Sequence, residues 1–330
     1  MTRLTTPTLR TASRALLALS AALWLAPLPA AAQADYPNKP VRFVNAWPPG
    51  GPSDLIARSM SDVLQKSLGQ PFVVENKPGA GGNIGSDAVA KSAPDGYTVL
   101  FGIDSTYTIN PHIYKSMPFK PGDLKPLMVI ASSGLLIGVN PKTGFKTLAD
   151  MVKAAQTRSV SFSSGSSGSP GHLAAEIFHE STGGKVLHVP YKGNTPAVTA
   201  VLSGEVDAGI LATPGMLPHV KAGKITALAV TSRQRSTLAP DIPTVADLGH
   251  KEMEQAVYYV AMVPAATPDA IVQKLQKAMA DALAQPEVRQ RLAGLDLFYE
   301  GQTGAAAQQL FDQLSARYAK VIKATGMKVE

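Results

Sequence analysis

The chain contains no cysteine. Disulfide staples are therefore excluded, and so is the thiol that a lipid anchor would need. After residue 34 every apolar run is cut by charge, glycine or proline, which leaves no later segment able to span a membrane. Lysine and arginine are scattered, with no basic stripe and no interleaved aromatics, so nucleic acid is not an expected partner. The six histidines (His112, His172, His179, His188, His219, His250) form no i,i+4 pair and no carboxylate-flanked spacing of the metal-binding kind. No metal and no cofactor is expected.

What is present begins with an export signal. Arg3, Arg10 and Arg14 make a basic n-region, Ala15 to Leu28 an apolar h-region, and Ala32-Gln33-Ala34 an A-x-A cleavage site. Residues 1–34 are expected to be removed after Ala34. The exported chain of 296 residues, the full 330 less those 34, carries a formal charge of +4 in place of +7 once the three leader arginines are gone. An exported, cysteine-free chain fits a bacterial periplasm, and this length fits two domains.

Short β-branched runs alternate with amphipathic stretches, the pattern of an α/β fold. Strands are expected at 41–46, 72–75 and 98–103, with helices at 54–68 and 83–91 between them. A long apolar run, 127–139, carries Ser132-Ser133-Gly134 in its middle, as a strand would where it passes between domains. A second α/β series follows, and 256–264 is a plausible return crossing before the closing helices 268–284, 286–293 and 304–324. Two crossings imply a discontinuous first lobe, 35–133 plus 258–330, with 134–257 inserted as the second.

Two glycine-rich turns stand out, Pro48-Pro49-Gly50-Gly51-Pro52-Ser53-Asp54 and Asn76-Lys77-Pro78-Gly79-Ala80-Gly81-Gly82-Asn83. Each follows a strand and opens a helix, where bare backbone N–H groups and the helix dipole favour an anion. Ser53 or Asp54 is expected to cap the first helix, and Asp54 to pair with Arg58 rather than meet an anion. Trp47, at the strand end, is a core residue or a wall of the ligand cleft. The second turn lacks the lysine and hydroxyl of a Walker A loop and is one residue too long for the dinucleotide fingerprint.

The inserted region repeats this grammar. Ser169-Pro170 and Thr195-Pro196 each read as an N-cap followed by proline at the first helical position. Asp207, just before a strand, is placed to brace the neighbouring turns. Ser164-Gly165-Ser166-Ser167-Gly168 and Ser167-Gly168-Ser169-Pro170-Gly171 are near misses to the G-x-S-x-G nucleophile elbow, each with serine where the first glycine belongs. With no nucleophile, base and acid placed together, no enzyme is expected. An exported serine hydrolase is the weaker rival, and an exported sensor for a membrane kinase the stronger.

At this point the motifs resemble those of the periplasmic receptors of tripartite tricarboxylate transporters, the Bug proteins. Pro49-Gly50-Gly51-x-x-Asp54-x-x-Ala57-Arg58, Val74 to Gly85, Pro94-Asp95-Gly96-Tyr97-Thr98, His172-Leu173-Ala174-x-Glu176, Val189-Pro190-Tyr191-Lys192-Gly193 and Asp241-Ile242-Pro243-Thr244 carry the match. The resemblance implies an α/β Venus-flytrap fold, type II-like, with two lobes and two crossings. It implies that one ligand carboxylate sits at Gly50, Gly51, Ser53, Ala80, Gly81, Gly82 and Asn83. The ligand's far end would then meet Ser164, Gly168, Ser169, His172, Asn194 and Thr195. A hydroxyl-lined far wall would suit a second carboxylate, and Trp47 nearby a flat aromatic acid. The implied partners are a small di-, tri- or aromatic carboxylate and the membrane subunits of a transporter, and a monomer is the simplest state for a receptor that must open and close.

Overall fold

A buried strand, β1 (Val41–Asn45), leads into helix α1 (Pro52–Leu68), strand β2 (Phe72–Asn76) and helix α2 (Asn83–Ala90). This is a computed structural model that describes residues 36–329, so the leader reading of residues 1–34 lies outside the described residues. Residues from Pro37 onward form one compact unit. Helix α1 starts at a proline, whose missing N–H costs nothing at the first helical position. It buries Ile56, Ala57, Met60, Val63 and Leu64 on one face and stops at Gly69, whose φ of 69° lets its N–H return to Gln65 O. Gly51, not Ser53 or Asp54, occupies the N-cap.

Strand β3 (Thr98–Ile103) is buried throughout and runs into two one-turn helices, α3 (Ser105–Thr108) and α4 (Asn110–Ile113). The long strand β4 (Leu124–Val139) follows. Next come α5 (Leu148–Thr157), β5 (Val160–Ser164), α6 (Pro170–Thr182), β6 (Val186–Pro190) and α7 (Asn194–Ser203). The chain continues through β7 (Ala208–Ala212), α8 (Thr213–Lys221), β8 (Thr226–Val230) and β9 (Ala256–Pro264). It closes with α9 (Asp269–Ala284), α10 (Pro286–Gly294), β10 (Phe298–Tyr299) and α11 (Gly304–Thr325).

The strands make two half-sheets joined by β4, in the order β2-β1-β3-β9-β4-β7-β5-β6, with β8 and β10 also on β4. β1 lies parallel to β2 and β3, as β5 does to β6 and β7, so each half carries βαβ units. β9 is antiparallel to both β3 and β4. Phe43 packs its ring 4.5 Å from Phe101 in the first core, and Phe162 lies 5.3 Å from Phe178 in the second. In both halves the glycine- and serine-rich turns leave the carboxyl ends of parallel strands, where α/β sheets hold ligands.

The junction is narrow. Gly134 of β4 still pairs with Ala256 of β9, while Leu135 pairs with Ala212 of β7. Thr231, fully buried, ties both chain crossings together. Its Oγ1 accepts from Leu135 N at 2.9 Å and donates to Gln255 O at 2.7 Å. Its backbone bonds the same two residues, Thr231 N to Leu135 O and Gln255 N to Thr231 O. Thr231→Val, which keeps the shape and removes the hydroxyl, leaves the Leu135 N–H without its acceptor. The expected loss is about 2 kcal/mol in urea unfolding, whereas Thr231→Ser keeps the bonds and loses less. Equal stability of the two variants would show that the hydroxyl staple contributes nothing.

Candidate ligand-binding site

A cavity of about 590 Å³, its mouth included, lies where the two half-sheets face each other. Three helices begin on it. α1 contributes Gly51, Pro52 and Ser53, α6 contributes Ser169, Pro170 and Gly171, and α7 contributes Asn194 and Thr195. Their free N–H groups and aligned dipoles give the cavity a positive potential without a cationic side chain. The rest of the lining is largely apolar: Trp47, Pro48, Ile103, Leu135, Ile210, Leu211, Val257 and the ring of Tyr259.

The first turn is shaped by Asp54, which points back into its own loop. Its carboxylate accepts from Gly50 N at 3.0 Å, Arg58 Nε at 3.0 Å and Asn76 Nδ2 at 2.9 Å. Burial alone would raise this carboxyl, but the bonds from Arg58, Gly50 and Asn76 hold it below the usual range. Asn45 and Asn76 both donate to Trp47 O, at 2.9 and 3.0 Å, which sets the strand end from which the indole projects. Trp47 Nε1 is buried without a hydrogen-bond partner among the described residues.

Across the cavity, Ser169 caps α6 as expected, its Oγ accepting from His172 N at 3.4 Å. Helix α7 starts one residue before the expected cap: Gly193 is its N-cap, so Thr195 lies inside the first turn and faces the cavity. Asn194 Oδ1 accepts from Ala212 N at 3.2 Å and so ties the start of α7 to the end of β7. Gly193 approaches Pro48 closely enough that a Cβ there would lie 2.8 Å from its ring, so the two turns touch across the mouth.

The chain matches the family described as "Tripartite tricarboxylate transporter family receptor" over residues 56–327. It is 36% identical over 305 residues to Protein BugT of Bordetella pertussis, covering 89% of this chain and 92% of that one. It belongs to the tripartite tricarboxylate transporter receptor family. Among solved structures it resembles periplasmic binding protein BugD (29% identity, TM-score 0.84), covering 89% of this chain and 100% of BugD. It also resembles Rpa4515 of R. palustris with adipate (31% identity, TM-score 0.85), covering 89% of this chain and 99% of that one. The fold is thus the two-lobed α/β fold of periplasmic binding proteins. No described helix is long and apolar enough to cross a membrane.

On this receptor scaffold the expected site residues separate into two groups. Trp47, Gly51, Ser53, Ser169, Asn194 and Thr195 meet at the cavity. Gly50 lies beside it, in the adjoining groove that also touches Asn194 and Thr195. Ala80, Gly81, Gly82 and Asn83 do not line it. Their turn is sealed by α3 and α4: Asn110 Nδ2 donates to Gly81 O at 3.0 Å and to Asn83 Oδ1 at 2.8 Å, and Thr106 Oγ1 to Gly81 O at 3.4 Å. Four consecutive residues of that turn, Gly79 to Gly82, have positive φ, Ala80 included at 47°. A Cβ at Gly82 would lie 3.6 Å from Trp47 Nε1, so the turn backs the indole rather than the cavity.

Ser164, Gly168 and His172 also stand behind the wall. Gly168 N donates to His172 Nδ1 at 3.1 Å, and the His172 ring stacks on His188 at 3.8 Å and 5°. Ser164 Oγ donates to Ser166 O at 3.0 Å and lies 2.6 Å from His188 Nε2. Burial, and then the neighbouring His172 ring, push His188 down to about 3, so it stays neutral. Ser164 is fully buried, and the carboxylate near this pair, Glu176, approaches His172 and not His188. Among the described residues no carboxylate pairs with His188, so the Ser164–His188 contact is not part of a serine–histidine–acid triad. Asp207 lies at the other end of β7. It accepts from Arg158 at 2.9 and 3.0 Å and from Ser161 N at 2.9 Å, and so braces the start of β5.

The apolar wall escaped the sequence reading. Val257 and Tyr259 share one face of β9, and Ile103 closes β3, so alternation on strands ending at the cleft was the available signal.

Proposed function

We propose that the protein is a periplasmic solute receptor that captures a small carboxylate in this cavity and delivers it to the membrane subunits of a tripartite tricarboxylate transporter. The observation that carries this reading is the convergence of three helix N-termini, with uncharged hydroxyl, amide and backbone donors, on one cavity between the two half-sheets. Such donors are satisfied by water when the site is open, whereas unpaired buried charge would not be. The carboxyl ligand seen in the similar structure with adipate supports the class. The leader-like pattern read from the sequence at 1–34 supports the place.

Capture follows from closure. Donors from α1 stand on one side and those from α6 and α7 on the other, so a ligand touching both favours the closed arrangement. The lobes then correspond to 35–133 plus 258–330 and to 134–257, hinged at the two crossings that Thr231 joins. Uptake of radiolabelled carboxylates by cells with and without the gene tests delivery, and a thermal-shift screen of the exported protein tests capture. Stabilisation by a carboxylate, with loss of its uptake on deletion, is expected. Unchanged uptake of the stabilising compound would remove the transport role.

A further inference from the structure

We infer that this receptor selects a ligand with a single carboxylate on an apolar body, and discriminates against dicarboxylates. The inference rests on the carboxylate-capture reading above and narrows it. No lysine, arginine or histidine side chain is among the described residues lining the cavity. Each helix N-terminus supplies roughly half an elementary charge, so α1, α6 and α7 together offset roughly one and a half. That covers one carboxylate and leaves only about half a charge for a second buried one, whose incomplete compensation in a low-dielectric site costs about several kcal/mol.

The geometry of the walls agrees. The polar lining is limited to the helix starts, with Ser53 beside Gly51 on α1, Ser169 and Gly171 on α6, and Asn194 and Thr195 on α7, all of them uncharged. The rest of the lining includes the apolar side chains of Ile103, Leu135, Ile210, Leu211 and Val257. Tyr259 presents its ring, because its hydroxyl lies 3.1 Å from Ser133 Oγ and is engaged there. The groups that looked able to hold a second carboxylate are used inside the protein. Ser164 serves His188 and Ser166, and His172 serves Gly168 and the stacked His188. Arg58, the cation nearest in sequence to the first turn, is held by Asp54. An extended apolar surface recovers free energy from a hydrocarbon body and none from a charged far end.

Matched pairs test this directly. Hexanoate and adipate have the same number of carbons, as do 4-methylbenzoate and terephthalate, and each pair differs by one carboxylate. Isothermal titration of the exported protein at pH 7.5 is expected to give at least ten-fold tighter binding for the monocarboxylate in every pair of which a member binds. Tighter binding of adipate or terephthalate would overturn the inference and leave carboxylate capture standing. Hexanamide serves as the neutral control. If it binds as tightly as hexanoate, the apolar wall survives and the carboxylate reading falls, and the inference falls with it. Absence of binding by every acid in both pairs would overturn both.

Discussion

Asp104→Asn is expected to make the protein more stable above pH 7 while leaving it unchanged near pH 4. Asp104 directly follows β3 and is almost fully buried, at 1% exposure, next in sequence to Ile103 of the cavity wall. Its carboxyl accepts from Tyr258 N at 3.0 Å and from Thr108 Oγ1 at 3.0 Å, and no cationic side chain among the described residues pairs with it. Burial pushes it up to about 7 from an ordinary 3.8, against the bonds from Tyr258 and Thr108, which favour the charged form. Between those two values the folded chain keeps a proton that the unfolded chain has released. Stability therefore falls as pH rises through this window and is lowest above it. At about 1.4 kcal/mol per pH unit, the cost above pH 7 approaches about 4 kcal/mol.

Asparagine keeps an oxygen for Tyr258 N, and its amide can donate to Thr108 Oγ1, which also accepts. The variant thus removes the charge without removing the bonds. Urea unfolding at pH 4, 6 and 8 should show a difference that grows with pH and then levels. Other acids do not blur the comparison. Asp54 and Asp207, held below the usual range by their partners, lose their contribution only in acid, and they are common to both proteins. A variant less stable than the parent at pH 8 would mean that the ionised Asp104 is fully compensated by its two donors.

Why the sequence displayed some elements and hid others is visible in individual residues. Helices α1 and α6 announce themselves with Pro52 and Pro170 at the start and Gly69 and Gly183 at the end, and both have an apolar face of helical period. Helices α3 and α4 do not. Ser105-Thr106-Tyr107-Thr108-Ile109-Asn110-Pro111 has polar, β-branched composition and reads as a loop. It becomes helical because Tyr107 stacks on Phe311 of α11 at 5.9 Å and Asn110 reaches the glycine turn. Helix α8 carries Pro214, Gly215 and Pro218, yet forms because Thr213 Oγ1 bonds Gly134 O at 2.9 Å and Met216 and Leu217 are buried. Tertiary contacts override local propensity in both places. Strand β4 starts at Leu124, three residues before the expected 127, since Pro126 sits at a bulge against β9 where its missing N–H is tolerated.

The candidate site divides along the same line. Turns that hold donors are legible because glycine, serine and proline at strand-to-helix junctions have few other uses. The apolar wall is not, because Ile210 or Val257 at a strand end looks the same whether it faces a core or a ligand. Ser164 and His172 illustrate the reverse error of emphasis: polar residues at such a junction can be spent on one another.

Gly171→Ala is expected to cost at least about 3 kcal/mol, at the upper end of overpacking penalties, and to weaken ligand binding with it. Helical propensity argues the other way, because alanine is favoured over glycine by about 1 kcal/mol inside a helix. At Gly171 packing decides the sign. A Cβ there would collide with the Ile210 carbonyl oxygen and lie 3.2 Å from Ser164 Cβ. Ile210 sits in the middle of β7, in register with Ile137 of β4, and cannot retreat without disturbing that ladder. α6 must move instead, and Pro170, Gly171 and Ile210 all line the cavity, so its wall moves too. Gly294, at the end of α10, has open space where its Cβ would go and provides the control. Gly294→Ala should be neutral or slightly stabilising, while Gly171→Ala lowers the urea midpoint and raises the Kd for hexanoate. Equal midpoints for the two variants would mean that α6 can shift away from β7 at no cost, and that its approach to the sheet does not position the cavity wall.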